Sequence, residues 1–371
     1  MPGKMTELEH YINKQRKEPD NYTPVFYRLQ HEEQYADLLA LLAANPHIRI
    51  YDQIHSQLKE LMKIRNPTKR LTEEESEQKI SEYVGTTPLH AFGVWVYYPW
   101  SHRVVHIVDE KDFIELRTSR NKQKITDEEI AMLSGKKIGI IGLSVGQSIA
   151  LTLAMERVCG ELRLTDFDKV ELTNMNRIRT GIHSIQVHKV VIAAREIAEL
   201  DPFIKVVIYT DGATEENLDD FFTKDGNIDI LVEECDGIDI KILSRMKAKS
   251  LGIPVVMDTN DRGMVDVERF DLEPDRPLLH GFIPDIDLKS LRGLTDAEKL
   301  PIFRPMVALD DMSERMKYSL GQIGKTITTW PQLASSVVLG GAVVTDTCRR
   351  ILLDQFKSSG RYYVDFEQII V

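Results

Sequence analysis

A short loop, Gly142-Leu-Ser144-Val-Gly146, lies between an apolar, β-branched run (Ile138 to Ile141) and a segment with Ile149, Leu153 and Glu156/Arg157 at helical spacing. A turn of this kind puts a helix start, with unpaired N–H groups and the positive end of its dipole, where a phosphate can be held. Gly142 and Gly146 let the backbone come close to such a ligand. The dinucleotide fingerprint is G-x-G-x-x-G, and Ser144 stands near its middle glycine, so the loop also reads as a plain strand-to-helix connection. Asp166 closes a second strand, Leu162 to Thr165, where an acidic residue accepts hydrogen bonds from a ribose. The same position suits an Asp that caps a turn.

These residues need a buried parallel strand, a helix and a second strand to hold them, and the run Lys136 to Ile178 has that order. The chain then continues D-F-D-K-V-E-L-T-N-M-N-R, which an ordinary dehydrogenase does not require. Lys189 opens a helix running to Leu200, and the apolar strand Ile228 to Val232 leads into E-E-C-D-G, which contains Asp236. Upstream, Arg117 and Arg120 sit in the basic run RTSRNKQK. Singly, each has a plain reading. Lys189 suits a solvated helix face, Asn174 a turn, Arg117 and Arg120 a linker, and Asp236 the cap of a helix over Ile238 to Ala248.

Taken in order, these residues resemble the ThiF/MoeB family of adenylyltransferases, bacterial relatives of ubiquitin-activating enzymes. In that family a D-x-D-x-V-x-x-x-N-L-x-R-Q segment follows the second strand. Here Asp166, Asp168, Val170, Asn174 and Arg177 are in register, with Met175 for the Leu and Ile178 for the Gln. Arg117 to Asn121 is similar to the family's R-Y-x-R-Q box, and Lys189 and Asp236 fall where it keeps an ATP-contacting Lys and a metal-binding Asp. The resemblance spans Arg117 to Val371. It implies an α/β fold: a Rossmann-like, doubly wound, mainly parallel sheet, here with an N-terminal α+β extension. It also implies ATP held by the loop of Gly142, Ser144 and Gly146, by Asp166 at the ribose, and by Asn174, Arg177 and Lys189 at the phosphates. Asp236 would hold Mg²⁺, and Arg120 would reach the triphosphate from the other subunit of a homodimer, like an arginine finger supplied in trans. Adenylation needs almost no proton transfer, so Arg120, Arg177, Lys189 and Asp236 would act by positioning and charge neutralisation.

The chain departs from the family at its cysteines. It has three, Cys159, Cys235 and Cys348, and no C-x-x-C, so the structural zinc of many members is not expected. No cysteine lies between Cys235 and Cys348, where members that form a thioester place theirs. Cys159 and Cys348 read as packing residues, and Cys235 is the thiol nearest the expected site. The expected chemistry therefore ends at an acyl-adenylate or passes directly to an external acceptor. The carboxylate could be the C-terminus of a small ubiquitin-like or sulfur-carrier protein, a small molecule or a peptide. Two other functions compete: an NAD(P)-dependent oxidoreductase, which leaves Asn174, Arg177, Lys189 and Arg120 without work, and a non-catalytic nucleotide-binding module.

Over 371 residues, 58 acidic against 47 basic side chains give a net charge of −11, which argues against a broad nucleic-acid surface. No apolar run suggests a signal peptide or a membrane span, and the sparse cysteines fit a reducing cytoplasm. Two domains are expected, 1–115 and 116–371. The first holds helices over His31 to Ala44, Tyr51 to Ile64 and Thr72 to Val84, the last opened by a Thr72/Glu75 capping box. An aromatic hairpin around Trp95 and Tyr97 follows, its rings read as core. A similar leader occurs in ThiF-like proteins that continue into a nitroreductase-like domain, so any redox partner is expected to be separate. In the second domain a Thr126/Glu129 capping box opens a helix before the first core strand. The Pro-, Asp- and Gly-rich segment 258–330, with short helices at Thr295 to Leu300 and Asp311 to Leu320, forms the family's crossover above the site. A long apolar helix from Pro331 to Leu353 and a last strand from Tyr362 to Val371 complete the core.

Overall fold

In the computed structural model, which describes residues 8–10, 20–283 and 294–370, the chain divides into two units, 1–120 and 121–371. The first unit holds strands β1 (Val25–Tyr27), β2 (Arg49–Asp52), β3 (Val94–Tyr98) and β4 (Arg103–Ile107), ordered β1-β3-β4-β2. Its helices are α1 (Glu32–Ala44), α2 (Ile54–Arg65), α3 (Glu73–Val84) and α4 (Glu110–Thr118). Period-two alternation buries Val94, Val96 and Tyr98 on one face of β3. Trp95 and Tyr97, on the other face, are half-buried against Leu38, Ile48 and Val104, so the expected hairpin forms and these two rings cover the core. The Thr72/Glu75 capping box opens α3 as the spacing predicts. The helix expected from Tyr51 starts instead at Ile54, because Arg49–Asp52 pairs in parallel with β4.

The second unit begins with α5 (Asp127–Ser134), opened by the Thr126/Glu129 capping box. Then come β5 (Lys137–Ile141), α6 (Gly146–Glu156), β6 (Glu161–Thr165), α7 (Lys189–Leu200), β7 (Lys205–Tyr209) and α8 (Leu218–Thr223). β8 (Ile230–Glu233), α9 (Ile238–Ser250), β9 (Val255–Asp258) and β10 (Met264–Glu268) follow. After α10 (Asp296–Met306) and α11 (Glu314–Leu320), the long α12 (Ala334–Leu352) leads to β11 (Gly360–Tyr363) and the short α13 (Phe366–Ile369). The seven-stranded sheet runs β11-β10-β9-β8-β5-β6-β7. β7, β6, β5, β8 and β9 are parallel, and β10 and β11 pair antiparallel at one edge. The chain winds outward from β5 to β7 and returns beside β5 at β8, so a crevice opens between the carboxyl ends of these two strands. This is the doubly wound, mainly parallel sheet the sequence predicts. No described helix is long and apolar enough to cross a membrane.

Two expectations are corrected here. The strand predicted from Tyr362 ends at Tyr363, because Asp365 accepts the Glu367 N–H at 3.0 Å and starts α13; Val371 lies outside the described residues. The segment 258–330 contains a fully buried strand, β10, in place of helical pieces alone; residues 284–293 lie outside the described residues. Its pattern hides it, since Asp266 and Glu268 point polar side chains inward. Basic side chains come to meet them. Arg361 Nε and His280 Nε2 reach Asp266 at 2.6 and 2.9 Å, and Arg245 Nε reaches Glu268 at 2.7 Å. Arg245 Nη1 also bonds Glu233 at 2.5 Å, where Lys241 joins it at 3.0 Å. Burial alone would push the Glu233 carboxyl up, but Lys241 and Arg245 outweigh it and hold it at about 2.

Between α6 and α7, Gln147 donates to Glu196 at 2.9 Å and to the Arg179 carbonyl at 2.9 Å. Burial, helped by Glu199, raises Glu196 from 4.5 to about 8. The native state therefore binds a proton there that the unfolded chain has released, and stability at this residue falls as pH rises from 4.5 to about 8. Glu196→Gln is expected to flatten that slope and raise the melting temperature at the alkaline end by about 2–4 °C, as thermal melts across the window will show.

Candidate functional site

The α6 N-terminus has no side-chain cap: its N-cap is Val145, whose side chain makes no capping bond. Ser144 and Val145 line one wall of a pocket that continues across the β5/β8 crevice to Asp236 and on to Asp258, Thr259 and Asn260. Phe303, Val307, Met312 and Trp330 give it an apolar side, and its cavity volume is about 50 Å³.

Gly142 has φ +88, and a methyl there would stand 2.8 Å from the Glu234 carbonyl. At Gly146 a methyl would strike Ile140. Both glycines are thus required by strand–helix packing as well as by any ligand above them. Asp166 uses both carboxylate oxygens locally, accepting the Leu143 N–H at 2.7 Å and the Asp168 N–H at 2.8 Å. These bonds tie the loop to the end of β6 and leave lone pairs for a further donor. Burial raises the Asp166 carboxyl, with Lys189 pulling the other way.

Lys189 is not a solvated helix residue. It is 6% exposed, and its ammonium lies 2.7 Å from Asp168 and 3.9 Å from Asp166. A cation at a helix N-terminus opposes the dipole, and these two carboxylates offset it. Arg177 extends from the turn after β6 and places Nε and Nη2 3.1 and 2.8 Å from Ser144 Oγ, with Nη1 donating to Asn176 at 2.9 Å. Asn174 Oδ1 accepts the Glu171 N–H at 3.0 Å, so it stabilises the turn that presents Arg177.

Asp236 is exposed at the pocket mouth, and Gly237, not Asp236, caps α9. Desolvation by the surrounding wall raises its carboxyl, against the pull of Lys241, Lys189 and Arg177. The second unit therefore brings Ser144, Asp166, Arg177, Lys189 and Asp236 around one crevice. Arg120 is the last residue of the first unit and is exposed. Cys235 is half-buried, its Sγ donating to the Gly237 carbonyl at 3.6 Å. Burial and then Glu233 push that thiol up, which makes it a poor nucleophile. Cys159 and Cys348 are buried free thiols.

Several lining residues carry no sequence signal of their own. Lys241 gives its ammonium to Glu233, and Gln332 reaches back from far along the chain to accept from Ser144 Oγ at 3.4 Å. Glu234 accepts the Asp258 N–H at 2.9 Å beneath the crevice. The adjoining glutamates Glu233 and Glu234, at the end of an apolar strand, were the readable hint of a built acidic floor.

Residues 118–350 match the model of the ThiF family. An uncharacterized protein of Mycobacterium tuberculosis (strain CDC 1551 / Oshkosh) is 45% identical over 271 residues, 73% of this chain. The match covers 38% of that relative's own length. The tRNA threonylcarbamoyladenosine dehydratase of Bacillus subtilis (strain 168) is 23% identical over 250 residues, covering 64% of this chain and 97% of that protein. Among solved structures, E. coli MccB aligns with a TM-score of 0.46 at 13% identity, covering 84% of this chain and 85% of its own.

Proposed function

The chain belongs to the ThiF family, and on that premise we propose that its second unit is a Mg²⁺- and ATP-dependent adenylyltransferase that activates a carboxylate. The observation that carries this reading is Arg177, held on the Ser144 hydroxyl at 2.8 and 3.1 Å at the open end of α6 and within electrostatic reach of Asp236. Positive charge and uncapped N–H groups there face the place where a polyphosphate would lie. A carboxylate oxygen forms a bond to the α-phosphorus, the bond to the β-phosphate oxygen breaks, and pyrophosphate leaves with the electron pair. No proton moves. Arg177 and Lys189 stabilise the leaving charge, Asp166 orients the ribose, and Asn174 holds the Arg177 turn.

Asp236 fits a magnesium site. It is an exposed carboxylate at the carboxyl end of β8, and Mg²⁺ is held by one or two carboxylates together with phosphate oxygens. When bound, the ion neutralises charge on the departing pyrophosphate. The acceptor is a small carrier protein's C-terminus, a peptide or a small molecule, and the setting is the cytoplasm. ATP–pyrophosphate exchange with candidate carboxylates tests the reaction, and equilibrium titration with ATP and NAD(H) tests the nucleotide. Binding of NAD without ATP would reject the reading.

The proposal includes a homodimer with Arg120 supplied in trans, since Arg120 is an exposed cation at the end of the first unit. Mixing Arg120→Ala subunits with Arg177→Ala subunits is expected to restore exchange that neither parent shows. Mixed dimers as inactive as their parents would place Arg120 in its own subunit's site or outside catalysis.

A further inference from the structure

The order of the strands gives the crevice a direction. Ser144 and Val145 after β5 and Asp236 after β8 line the pocket, whereas Asp166 after β6 and Lys189 at the start of α7 stand outside it. The neighbouring strands run β9-β8-β5-β6. On the adenylation reading the ribose therefore lies at the β6 side and the phosphates over β5 and β8. The remainder of the pocket, towards β9, is left for the group attached to the carboxylate.

That end is walled by hydrocarbon. Met257 of β9 is 1% exposed, and Val307 and Met312, between α10 and α11, are 6% exposed each. Phe303 and Trp330 complete the wall, their ring centroids 5.7 Å apart. The wall is fastened to the sheet. Arg361 Nη2 donates to the Met306 carbonyl at 3.1 Å, and Asp261 accepts the Ser313 N–H and hydroxyl at 2.7 and 2.8 Å. The basic residue of the lining, Lys241, gives its ammonium to both Glu233 oxygens, at 3.2 and 3.0 Å. A second carboxylate on the substrate finds no partner here, and burying it unpaired is costly. At about 50 Å³ the cavity takes roughly three to five water-sized groups.

We propose that this cavity selects the substrate: the carboxylate activated here carries a small aliphatic group of about three to five carbons and no second charge beside it. The inference rests on the adenylation reading for the fate of the carboxylate, but the selectivity is measurable without catalysis. A free branched acid and a peptide ending in valine, leucine or isoleucine present the same chemistry. Met257, Met312 and Met316 fit their flexible thioether chains around such a group. Burying each methylene strengthens binding about fourfold, so a group that fills the cavity outbinds bare acetate or a terminal glycine.

Binding to the full chain is measured by calorimetry with Mg²⁺ and α,β-methylene ATP, whose bridging carbon prevents loss of pyrophosphate, and exchange is measured in parallel with ATP. One arm compares acetate, isobutyrate, isovalerate, isocaproate, octanoate and succinate. The other compares N-acetylated dialanyl peptides ending in glycine, valine, leucine or aspartate. In at least one arm a branched aliphatic member is expected to bind about tenfold or more tightly than acetate or the glycine peptide, and succinate or the aspartate peptide no more tightly than these. The arm that responds identifies the source. Val307→Phe, which fills the cavity, is expected to abolish the preference, and Trp330→Ala, which widens it, to shift the preference to octanoate or the leucine peptide. Thermal melts check that both variants fold, and Trp330→Ala decides the matter if Val307→Phe does not. Equal binding of all members, binding of none, preference for a charged member, tightest wild-type binding of octanoate, or a ranking that no folded variant changes each overturns the inference. Exchange without an aliphatic preference retains adenylation and rejects this selectivity. An aliphatic preference without exchange for any ligand retains the pocket and rejects the adenylation reading instead.

Discussion

Arg177→Ala is expected to lower ATP–pyrophosphate exchange by about a hundredfold or more while leaving the melting temperature nearly unchanged. The separation of the two readouts follows from what Arg177 touches. Its donors go to a half-buried hydroxyl, Ser144 Oγ, and to the exposed Asn176, and no buried carboxylate depends on it. Removing it leaves no uncompensated charge in the core, so folding is spared. It does remove the guanidinium above the open α6 N-terminus, where the proposed reaction develops charge as pyrophosphate leaves. Asp236→Ala is expected to do the same through the opposite charge, and added Mg²⁺ should not rescue it. Exchange that persists at the wild-type rate in both variants would show that the phosphates lie elsewhere.

Arg245→Ala is expected to act on stability. The guanidinium is fully buried between Glu233 and Glu268, at 2.5 and 2.7 Å, and among the described residues no other side chain bonds both. Taking away one partner of a buried ion pair costs about 3–5 kcal/mol, which for a unit of this size lowers the melting temperature by roughly 10 °C or more. Chemical denaturation of wild type and variant will measure it. The difference also depends on pH. Glu233 is held at about 2, below its ordinary 4.5, so its contribution is present above 4.5 and is lost as pH falls towards about 2. The gap between wild type and variant should therefore narrow over that acid range. A constant gap would mean that the cost comes from lost packing around the Arg245 stem.

Part of the molecule could be read from the chain because the controlling interactions are local. β5, its turn and α6 follow from an apolar run, glycines and helical spacing within about twenty residues, a range over which sequence periodicity speaks directly. The capping boxes at Thr72 and Thr126 were legible for the same reason, each being a bond between residues three apart. Lys189 shows the limit. Its place at the start of α7 was readable, but whether it faced water or Asp168 was decided by how α7 lies on the sheet. β10 went unread because its inward Asp266 and Glu268 look like a solvated loop until Arg245, His280 and Arg361 arrive from other elements.

By itself, then, the sequence determined the order of the candidate site residues, Ser144, Asp166, Arg177, Lys189 and Asp236, and the parallel α/β core that holds them. Tertiary structure alone decided what faces them. The contact of Gln332 with Ser144 joins residues 188 apart, and the Asp258 N–H to Glu234 bond joins the end of β8 to the end of β9. No local pattern encodes such meetings, because the free energy that selects them is burial and charge compensation summed over the folded core. Asp258 is the clearest instance. In the sequence it is one acidic residue after an apolar run, and only the folded core makes it a buried carboxyl packed against Gly340 of α12.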